Sequence, residues 1–237
     1  MIPPPRRPKK FAIFDIDGTI FRSSLLIEVT EALIEAGIFP VVVRKSYARE
    51  YSSWMDRKGS YDDYIDGVVR VFQSHIRGVH YRDFMKIANR VVAGHKNRTY
   101  RYTRDLVRDL KKKGYFLLAI SKSPKGIVEG FARNLGFDKV YGLLYETEKN
   151  GKYTGDIMFY DLMSDKAKVL KRAIEKEGLT LRGSVGVGDT ESDIAFLKLV
   201  ARPICFNPNR KLYDHARRAG WEVVVERKDV IYDLKKS

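Results

Sequence analysis

The sequence contains a single cysteine, Cys205, among its 237 residues. One cysteine cannot form a disulfide within the chain, and such scarcity is typical of proteins from reducing compartments. No apolar run approaches the ~20 residues that a membrane-spanning helix requires. The basic, proline-rich segment 1–10 lacks the apolar stretch of a signal peptide, and we interpret it as a stiff tail before the first strand. We therefore expect a cytoplasmic protein without a membrane partner.

Several motifs of nucleotide, hydrolase and calcium chemistry are also missing. The chain has no GxxxxGK[ST] phosphate loop and no GxSxG nucleophile turn, and the glycines of segment 183–188 have the wrong spacing for dinucleotide binding. The segment 15–17 cannot start an EF-hand loop, because Ile20 and Leu26 stand where that loop needs glycine and glutamate. These classes are therefore excluded.

Acidic residues are too few to balance the basic ones, and the formal net charge is +15. A charge of this size can mark binding to nucleic acid or to an anionic surface. The basic residues are spread along the chain, with no long block beyond Lys111–Lys113, and no nucleic-acid motif accompanies them. We favour a solvated basic surface that steers an anionic substrate, and a nucleic-acid partner stays open as the less favoured alternative.

The stretch that organises the rest of the chain lies near its start. Phe11–Phe14 is an apolar run of strand length, and Asp15, Asp17 and Gly18 follow it. The carboxyl edge of an open parallel sheet is where ligands bind. Two carboxylates this close repel each other unless a cation or a shared proton lies between them. This edge therefore requires a partner from elsewhere in the chain.

The segment after the first strand has the apolar periodicity of helices. Ser23 or Ser24 can cap the first of them. Aromatic residues recur at spacings of three and four, and we interpret them as the core of a small helical bundle. Three histidines, His75, His80 and His95, lack the spacing of a helical metal pair, so we expect them to be structural or exposed. The predicted helices cover residues 25–36, 42–57, 60–76 and 81–92.

From residue 99 onward, apolar runs of strand length alternate with helical patterns, which indicates a parallel sheet with helices on both faces. The predicted strands are 115–120, 139–145, 152–157, 184–187, 203–206 and 222–225. The predicted helices are 102–113, 124–135, 164–177 with Ser164 as its cap, 194–199 and 209–219. The fold class is therefore α/β, with a doubly wound, Rossmann-like, mostly parallel sheet. Residues 1–20 and 99–237 would form this core, and residues 21–98 an inserted helical cap domain.

Polar side chains end three of these strands. They are Asp15 and Asp17 after the first, Ser121 after the second, and Asp189 with Asp193 after a later one, while Lys166 starts a helix. Parallel strands bring their carboxyl ends to one edge, so these residues can converge. Carboxylates would hold a hard cation such as Mg²⁺, and the lysine and hydroxyl would contact phosphate oxygens. The set is consistent with phosphate chemistry.

At this point the chain resembles a known family. The segment Asp15-Ile-Asp-Gly-Thr19, Ser121, Lys166 and the segment Gly188-Asp-Thr-Glu-Ser-Asp193 are similar to the four motifs of the haloacid dehalogenase-like hydrolases. The match covers residues 10 to about 208. The helical insertion after the first motif and the hairpin near 145–157 resemble the phosphoserine-phosphatase-like branch.

The resemblance implies a Mg²⁺-dependent phosphatase that hydrolyses a small phosphomonoester through an aspartyl-phosphate. Asp15 would be the nucleophile and Asp17 the general acid and base. Asp15, the backbone carbonyl of Asp17, and Asp189 would hold Mg²⁺. Ser121 and Lys166 would bind the phosphate oxygens. Asp193 would orient Lys166 or a metal-bound water.

Substrate choice is less defined by the sequence. The glutamate with which phosphoserine phosphatases hold the substrate amine is replaced here by Ser24, and Glu28 lies one helical turn further. Lys122 adds a cation beside Ser121, which suggests a substrate with a second anionic group. Cationic cap residues that could read the leaving group are Arg22, Lys45, Arg49 and Arg70. The alternative functions are a basic binding protein, or a phosphatase acting on a polyanion such as nucleic acid.

Overall fold

The computed structural model describes residues 8–234, so residues 1–7 of the predicted basic tail lie outside the described range. Eight strands form one sheet in the described part of the chain. They are β1 (Lys9–Asp15), β2 (Phe116–Pro124), β3 (Lys139–Thr147), β4 (Tyr153–Met158), β5 (Leu179–Gly188), β6 (Arg202–Phe206), β7 (Glu222–Arg227) and β8 (Val230–Asp233). Their order across the sheet is β4-β3-β2-β1-β5-β6-β7-β8.

The first strand lies at the middle of this sheet. It pairs in parallel with β2 on one side and with β5 on the other. All other pairs are parallel except β3–β4 and β7–β8, which place an antiparallel strand at each edge. The predicted α/β class with a mostly parallel sheet is confirmed. The sequence pattern did not predict β8, a four-residue strand at one edge.

Alternating side chains of β1 supply both faces of the sheet. Phe11 and Ile13 pack into one apolar cluster, and Ala12 and Phe14 into the other. A strand buried on both faces reads as a continuous apolar run, which is why the sequence identifies it easily.

Ten α-helices connect the strands in the described residues. They are α1 (Leu25–Glu35), α2 (Ala48–Met55), α3 (Tyr61–Ile76), α4 (Tyr81–His95), α5 (Arg101–Lys112), α6 (Lys125–Asn134), α7 (Tyr160–Met163), α8 (Lys166–Glu177), α9 (Ile194–Leu197) and α10 (Arg210–Ala219). Short 3-10 helices cover Val41–Ser46 and Glu191–Asp193. Within residues 8–234, none of these helices has the length and apolar character needed to cross a membrane.

The predicted helix over residues 42–57 is confirmed only in its second half, because the chain forms a 3-10 helix over Val41–Ser46 before α2 begins. The break lies at Tyr47, whose φ of −130° and ψ of 9° are not helical. The Tyr47 ring is buried against Tyr64, with 6.0 Å between ring centroids, and its hydroxyl donates to Glu31. The β-branched run Val41–Val43 has weak helix propensity, so this anchoring of Tyr47 decides the local structure.

The predicted cap at Ser164 is also wrong. Ser164 ends the short helix α7, and its hydroxyl donates to the carbonyl of Asp161 at 3.1 Å. Asp165 is the N-cap of α8, and its carboxylate accepts from the backbone N–H of Ala167 at 2.8 Å. Both residue types are good caps, so the sequence alone could not choose between adjacent positions.

The helices α1, α3 and α4 share one apolar cluster with a face of the sheet. Phe72 from α3 and Phe84 from α4 belong to the same buried cluster as Phe14 from β1. The assignment of residues 21–98 as a separate cap domain therefore stays a prediction, since the described helices have no core that is distinct from that of the sheet.

Candidate active site

The carboxylates lie at the point where the strand order of the sheet reverses. The chain leaves β1 toward β2 on one side, while β5 lies on the other, which makes the β1–β5 edge a topological switch point. Asp15 ends β1, and Asp189 directly follows β5. Ligands of open α/β sheets bind at such points, outside the carboxyl ends of the strands.

Lys166 joins two of these carboxylates. It is the first residue of α8, and its Nζ donates to Asp15 Oδ1 at 2.5 Å and to Asp193 Oδ1 at 2.5 Å. All three side chains are buried. An ammonium this enclosed is stable only when paired, so the two acids fix its position.

Asp193 also holds the loop that carries Asp189. Its Oδ2 accepts from the backbone N–H groups of Asp189 and Thr190, each at 3.0 Å. These bonds and the lysine occupy both of its oxygens. Asp193 therefore has the contacts of a residue that positions Lys166 and Asp189.

Asp17 faces a different group of donors. Its Oδ2 accepts from the hydroxyls of Ser121 at 2.5 Å and Ser123 at 2.9 Å. Its Oδ1 accepts from the backbone N–H of Leu25 at 2.5 Å, so Asp17 caps α1. Ser24, the N-cap by position, makes no side-chain cap bond. The predicted N-cap position at Ser24 is thus confirmed, but a carboxylate from the loop after β1 accepts the hydrogen bond.

Ser123 and Thr19 are site residues that the sequence analysis missed. Ser123 lies two positions beyond Ser121 and contacts the same carboxylate oxygen; the period of two along a strand was the available signal. Thr19 donates to Asp189 Oδ1 at 2.9 Å, across 170 residues of sequence. No local pattern indicated that contact.

Gly18 is required by the close approach of Asp189. Its φ is +79°, a region that favours glycine, and a Cβ there would lie 2.1 Å from Asp189 Oδ2. The glycine thus lets the loop after β1 lie directly against the carboxylate after β5.

Burial raises the pKa values of Asp15, Asp17 and Asp189, and repulsion between carboxylates adds to the effect at Asp15 and Asp189. Burial raises the pKa of Asp15 to about 7, although Lys166 opposes the change. Burial also raises the pKa of Asp17, and it raises that of Asp189 well above its ordinary value, with the charge of Asp15 adding to the effect. Burial alone would lower the pKa of Lys166, but the charges of Asp15 and Asp193 outweigh it and raise that pKa.

The donor set fits a hard divalent cation. Carboxylate oxygens of Asp15, Asp189 and Asp193 lie within 4.8 Å of one another. Asp15 accepts from Lys166 through Oδ1, and Asp189 accepts from Thr19 through Oδ1. Among the described residues, no hydrogen bond engages Oδ2 of either carboxylate. These two carboxylate oxygens are suitable ligands for Mg²⁺. A cation between these carboxylates would also offset the repulsion that opposes their ionisation.

A cavity of about 910 Å³ opens in front of these carboxylates. Lys122 and Glu28 line it, and Glu28 is engaged by Arg98 at 2.8 Å. Of the cationic cap candidates, Arg22 lines this cavity. Arg49 and Arg70 line a separate cavity of about 310 Å³, and Lys45 lines neither.

The aromatic residues of α2 and α3 only partly form a core, which corrects the sequence interpretation. Tyr64 is buried, but Tyr51 is 42% exposed and Tyr61 is 37% exposed, and both line the large cavity with Trp54. The helix α2 has no buried residue at all. The helix α2 packs against α3 and the 3-10 helix before it. Its aromatic residues Tyr51 and Trp54 border the cavity, and Trp54 also packs against the apolar cluster.

The chain is similar to known proteins over most of its length. A family model described as haloacid dehalogenase-like hydrolase matches residues 12–198. The chain is 26% identical to a Mycobacterium tuberculosis protein named probable phosphatase, over 92% of this chain and 76% of that one. It is 25% identical to a phosphoserine phosphatase of Archaeoglobus fulgidus, over 89% and 56% of the two chains. A solved structure of a phospho-aspartyl intermediate analogue of phosphoserine phosphatase has a TM-score of 0.63 at 20% identity, covering 94% and 96%.

The fold, the site and these relatives together define an enzyme of the phosphatase class. The chain belongs to the haloacid dehalogenase-like hydrolase family. The resemblance stated from its four motifs is thus confirmed.

Proposed function

We propose that this enzyme hydrolyses a small phosphate monoester in two steps, with Asp15 as the nucleophile. The observation that carries the proposal is the pairing of Lys166 with Asp15 at 2.5 Å, in a cavity that Asp17 also lines. The lysine holds the nucleophile in place and offsets negative charge as a phosphoryl group approaches. Asp17 accepts hydrogen bonds from other groups and not from Lys166, so it is assigned the separate role of general acid and base.

In the first step, an oxygen of Asp15 would attack phosphorus, and the bond from phosphorus to the ester oxygen would break. Asp17 would give its proton to the leaving oxygen, which departs as an alcohol. In the second step, Asp17 would take a proton from water, whose oxygen attacks phosphorus and releases phosphate and the Asp15 carboxylate. The raised pKa of Asp17 suits a carboxyl that must both donate and accept a proton.

Asp15 and Asp189, with the backbone carbonyl of Asp17, would hold Mg²⁺. When bound, this cation supplies charge stabilisation for the phosphoryl oxygens and lowers the repulsion among the acids. Asp193 would keep Asp189 and Lys166 oriented through the hydrogen bonds described above.

Ser121 and Lys122 would bind the substrate. The Ser121 hydroxyl donates to Asp17 in the structure, so binding phosphate would require its proton to turn toward a phosphate oxygen. Lys122 is exposed, lines the cavity and is a ligand for a second anionic group. Glu28 is already paired with Arg98, which disfavours it as a ligand for a substrate amine.

A small metabolite is the favoured substrate because helices α2 and α3 wall the cavity on one side. The basic surface leaves nucleic acid as the alternative partner, either bound or dephosphorylated. The cytoplasmic location also stays a prediction.

The test is a panel of phosphate esters with added Mg²⁺, comparing the natural enzyme with Asp15→Asn. Turnover that needs both Mg²⁺ and Asp15 is the expected result.

A folded, Mg²⁺-binding protein that turns over no ester would contradict the proposal. A nucleic-acid titration at several salt concentrations would then test the alternative, since phosphate contacts give a steep salt dependence.

A further inference from the structure

One wall of the active-site cavity is built from aromatic and apolar side chains, several of which the rest of the protein leaves partly exposed. We define the aromatic wall as Tyr51, Trp54, Met55, Tyr61 and Tyr64, all of which line the cavity. Met55 is 55% exposed, and the helix that carries it buries no residue. Apolar surface that faces water in a concave site costs free energy unless a ligand covers it.

The rings of the aromatic wall are already ordered by one another. Trp54 and Tyr64 are stacked, with ring centroids 5.5 Å apart and planes 15° apart. Tyr61 meets Trp54 edge-on at 5.4 Å and 62°. Tyr64 is itself buried, so it gives Trp54 an ordered stacking partner. A preformed arrangement of this kind binds a ring with little further loss of side-chain entropy.

The aromatic wall begins beside the reacting groups. Tyr61 lines the same cavity as Asp17 and Asp189. Burial raises the pKa of its phenol, and the negative charges of these two carboxylates raise it further. Asp17 is the group to which the leaving oxygen would be directed. A leaving alcohol that departs past Asp17 therefore has the aromatic wall next to it.

The cavity is also larger than a phosphate group alone would fill. Its volume of about 910 Å³ lies near the upper end of the range for drug-sized ligands, roughly 300–1,000 Å³. The apolar side chains of Leu26, Ile27, Ile65 and Val69 extend the lining. There is room for a ring as well as for the phosphate.

We propose that the aromatic wall binds a planar ring on the leaving alcohol, so that the preferred substrates are phosphate monoesters of ring-bearing alcohols. This inference rests on the proposed function and specifies its substrate class. It assigns Trp54 as the main specificity-determining residue, because its ring is stacked on one side and borders the cavity.

The test compares two esters that have the same leaving chemistry, 2-phenylethyl phosphate and ethyl phosphate. Both release a primary alcohol, so a difference in kcat/KM reports on binding of the ring. We expect the natural enzyme to prefer the phenylethyl ester by about 10-fold or more, the range that an apolar pocket provides. Trp54→Ala should remove most of that preference, because it should lower kcat/KM for the phenylethyl ester by a larger factor than for ethyl phosphate.

Three further variants control for structural effects. Trp54→Phe keeps a ring and should retain most of the preference. Met55→Ala removes an exposed side chain with little risk to folding and should reduce the preference in part. Tyr81→Ala is the matched control, because Tyr81 is an exposed aromatic residue, 46% exposed, that does not line the cavity.

Several results would overturn the inference while leaving the proposed function standing. They are equal hydrolysis of the two esters by the natural enzyme, an equal loss on both esters in Trp54→Ala, or equal preference for 2-cyclohexylethyl phosphate, which is bulky but not planar. The inference would also be overturned if the enzyme hydrolysed other esters but neither 2-phenylethyl phosphate nor ethyl phosphate. Absence of Mg²⁺- and Asp15-dependent hydrolysis of every ester would remove the proposed function itself.

Binding can also be measured without turnover. The chain has two tryptophans, so Trp221→Phe leaves Trp54 as the only one. Adding 3-phenylpropylphosphonate, which cannot be hydrolysed, should change Trp54 fluorescence in a saturable way, while propylphosphonate should have a much smaller effect. An identical response to both compounds would contradict ring binding at the aromatic wall.

Discussion

The carboxylate of Asp17 accepts the backbone N–H of Leu25 at 2.5 Å and thereby caps helix α1. The proposed general acid and base is thus also the residue that fixes the first helix after β1. Leu26 is held in the same way, because its N–H donates to Ser123, which in turn donates to Asp17. The start of α1 and the catalytic loop are therefore one hydrogen-bonded unit.

Replacing Asp17 should separate these two roles. Asp17→Asn keeps an oxygen for the Leu25 N–H but cannot transfer a proton, so we expect a fall in kcat of about 10²- to 10⁴-fold with little change in stability. Asp17→Ala loses the cap as well, which should cost about 1 kcal/mol of unfolding free energy. Ester hydrolysis and urea unfolding measure the two effects. Full activity in Asp17→Asn would contradict the assignment.

Lys166→Met should inactivate the enzyme and destabilise it. The change leaves Asp15 and Asp193 buried without their shared cation, a defect that typically costs about 3–5 kcal/mol. Lys168→Met is the matched control, since Lys168 is exposed on the same helix. Urea unfolding of both variants is the measurement, and equal stability of the two would show that the buried pair does not support the fold.

Gly18→Ala should weaken Mg²⁺ binding by displacing Asp189. The added Cβ would lie 2.1 Å from Asp189 Oδ2, so the carboxylate must move from its place opposite Asp15. Gly37→Ala shares a positive φ, +71°, but has nothing within 4 Å, and it controls for backbone strain alone. Calorimetric titration with Mg²⁺ should show a loss of affinity in the first variant only. An unchanged affinity would contradict the role of Asp189 as a ligand.

Stabilisation by Mg²⁺ should increase with pH. The pKa of Asp15 is about 7 in the folded chain, above its unfolded value of about 3.9. The folded state therefore binds this proton more tightly, and metal-free stability is lost as the pH rises from about 4 to about 7. Mg²⁺ replaces the proton, so the difference in Tm between excess Mg²⁺ and a chelator should be larger at about pH 8 than at about pH 5. A difference that is independent of pH would contradict this linkage.

Lys122→Ala should lower kcat/KM selectively for esters that carry a second anionic group. Lys122 is exposed at the cavity, where loss of a charge contact should lower kcat/KM by up to about 5-fold. Lys149→Ala, an exposed lysine in the turn between β3 and β4, serves as the control. Equal effects on esters with one and two anionic groups would remove Lys122 as a ligand for the second group.

The sequence by itself was enough to predict the parallel sheet and the aspartates at its carboxyl edge. Phe11–Phe14 is apolar on both faces and ends in two aspartates, so its place in a parallel sheet follows from the pattern alone. Capping residues and glycines placed most helices, such as α3 after Ser60, within a few residues. Lys166 and Asp189 were identifiable because each stands at the start of a helix or the end of a strand.

Only the tertiary structure decided which partner each of these groups would take. The contacts of Asp17 with Ser121 and Ser123, and of Thr19 with Asp189, join residues more than 100 positions apart, and no local periodicity encodes them. The same is true of the aromatic residues of α2. Their helical spacing shows that they share a face, but whether that face meets a core or a cavity depends on what packs against it.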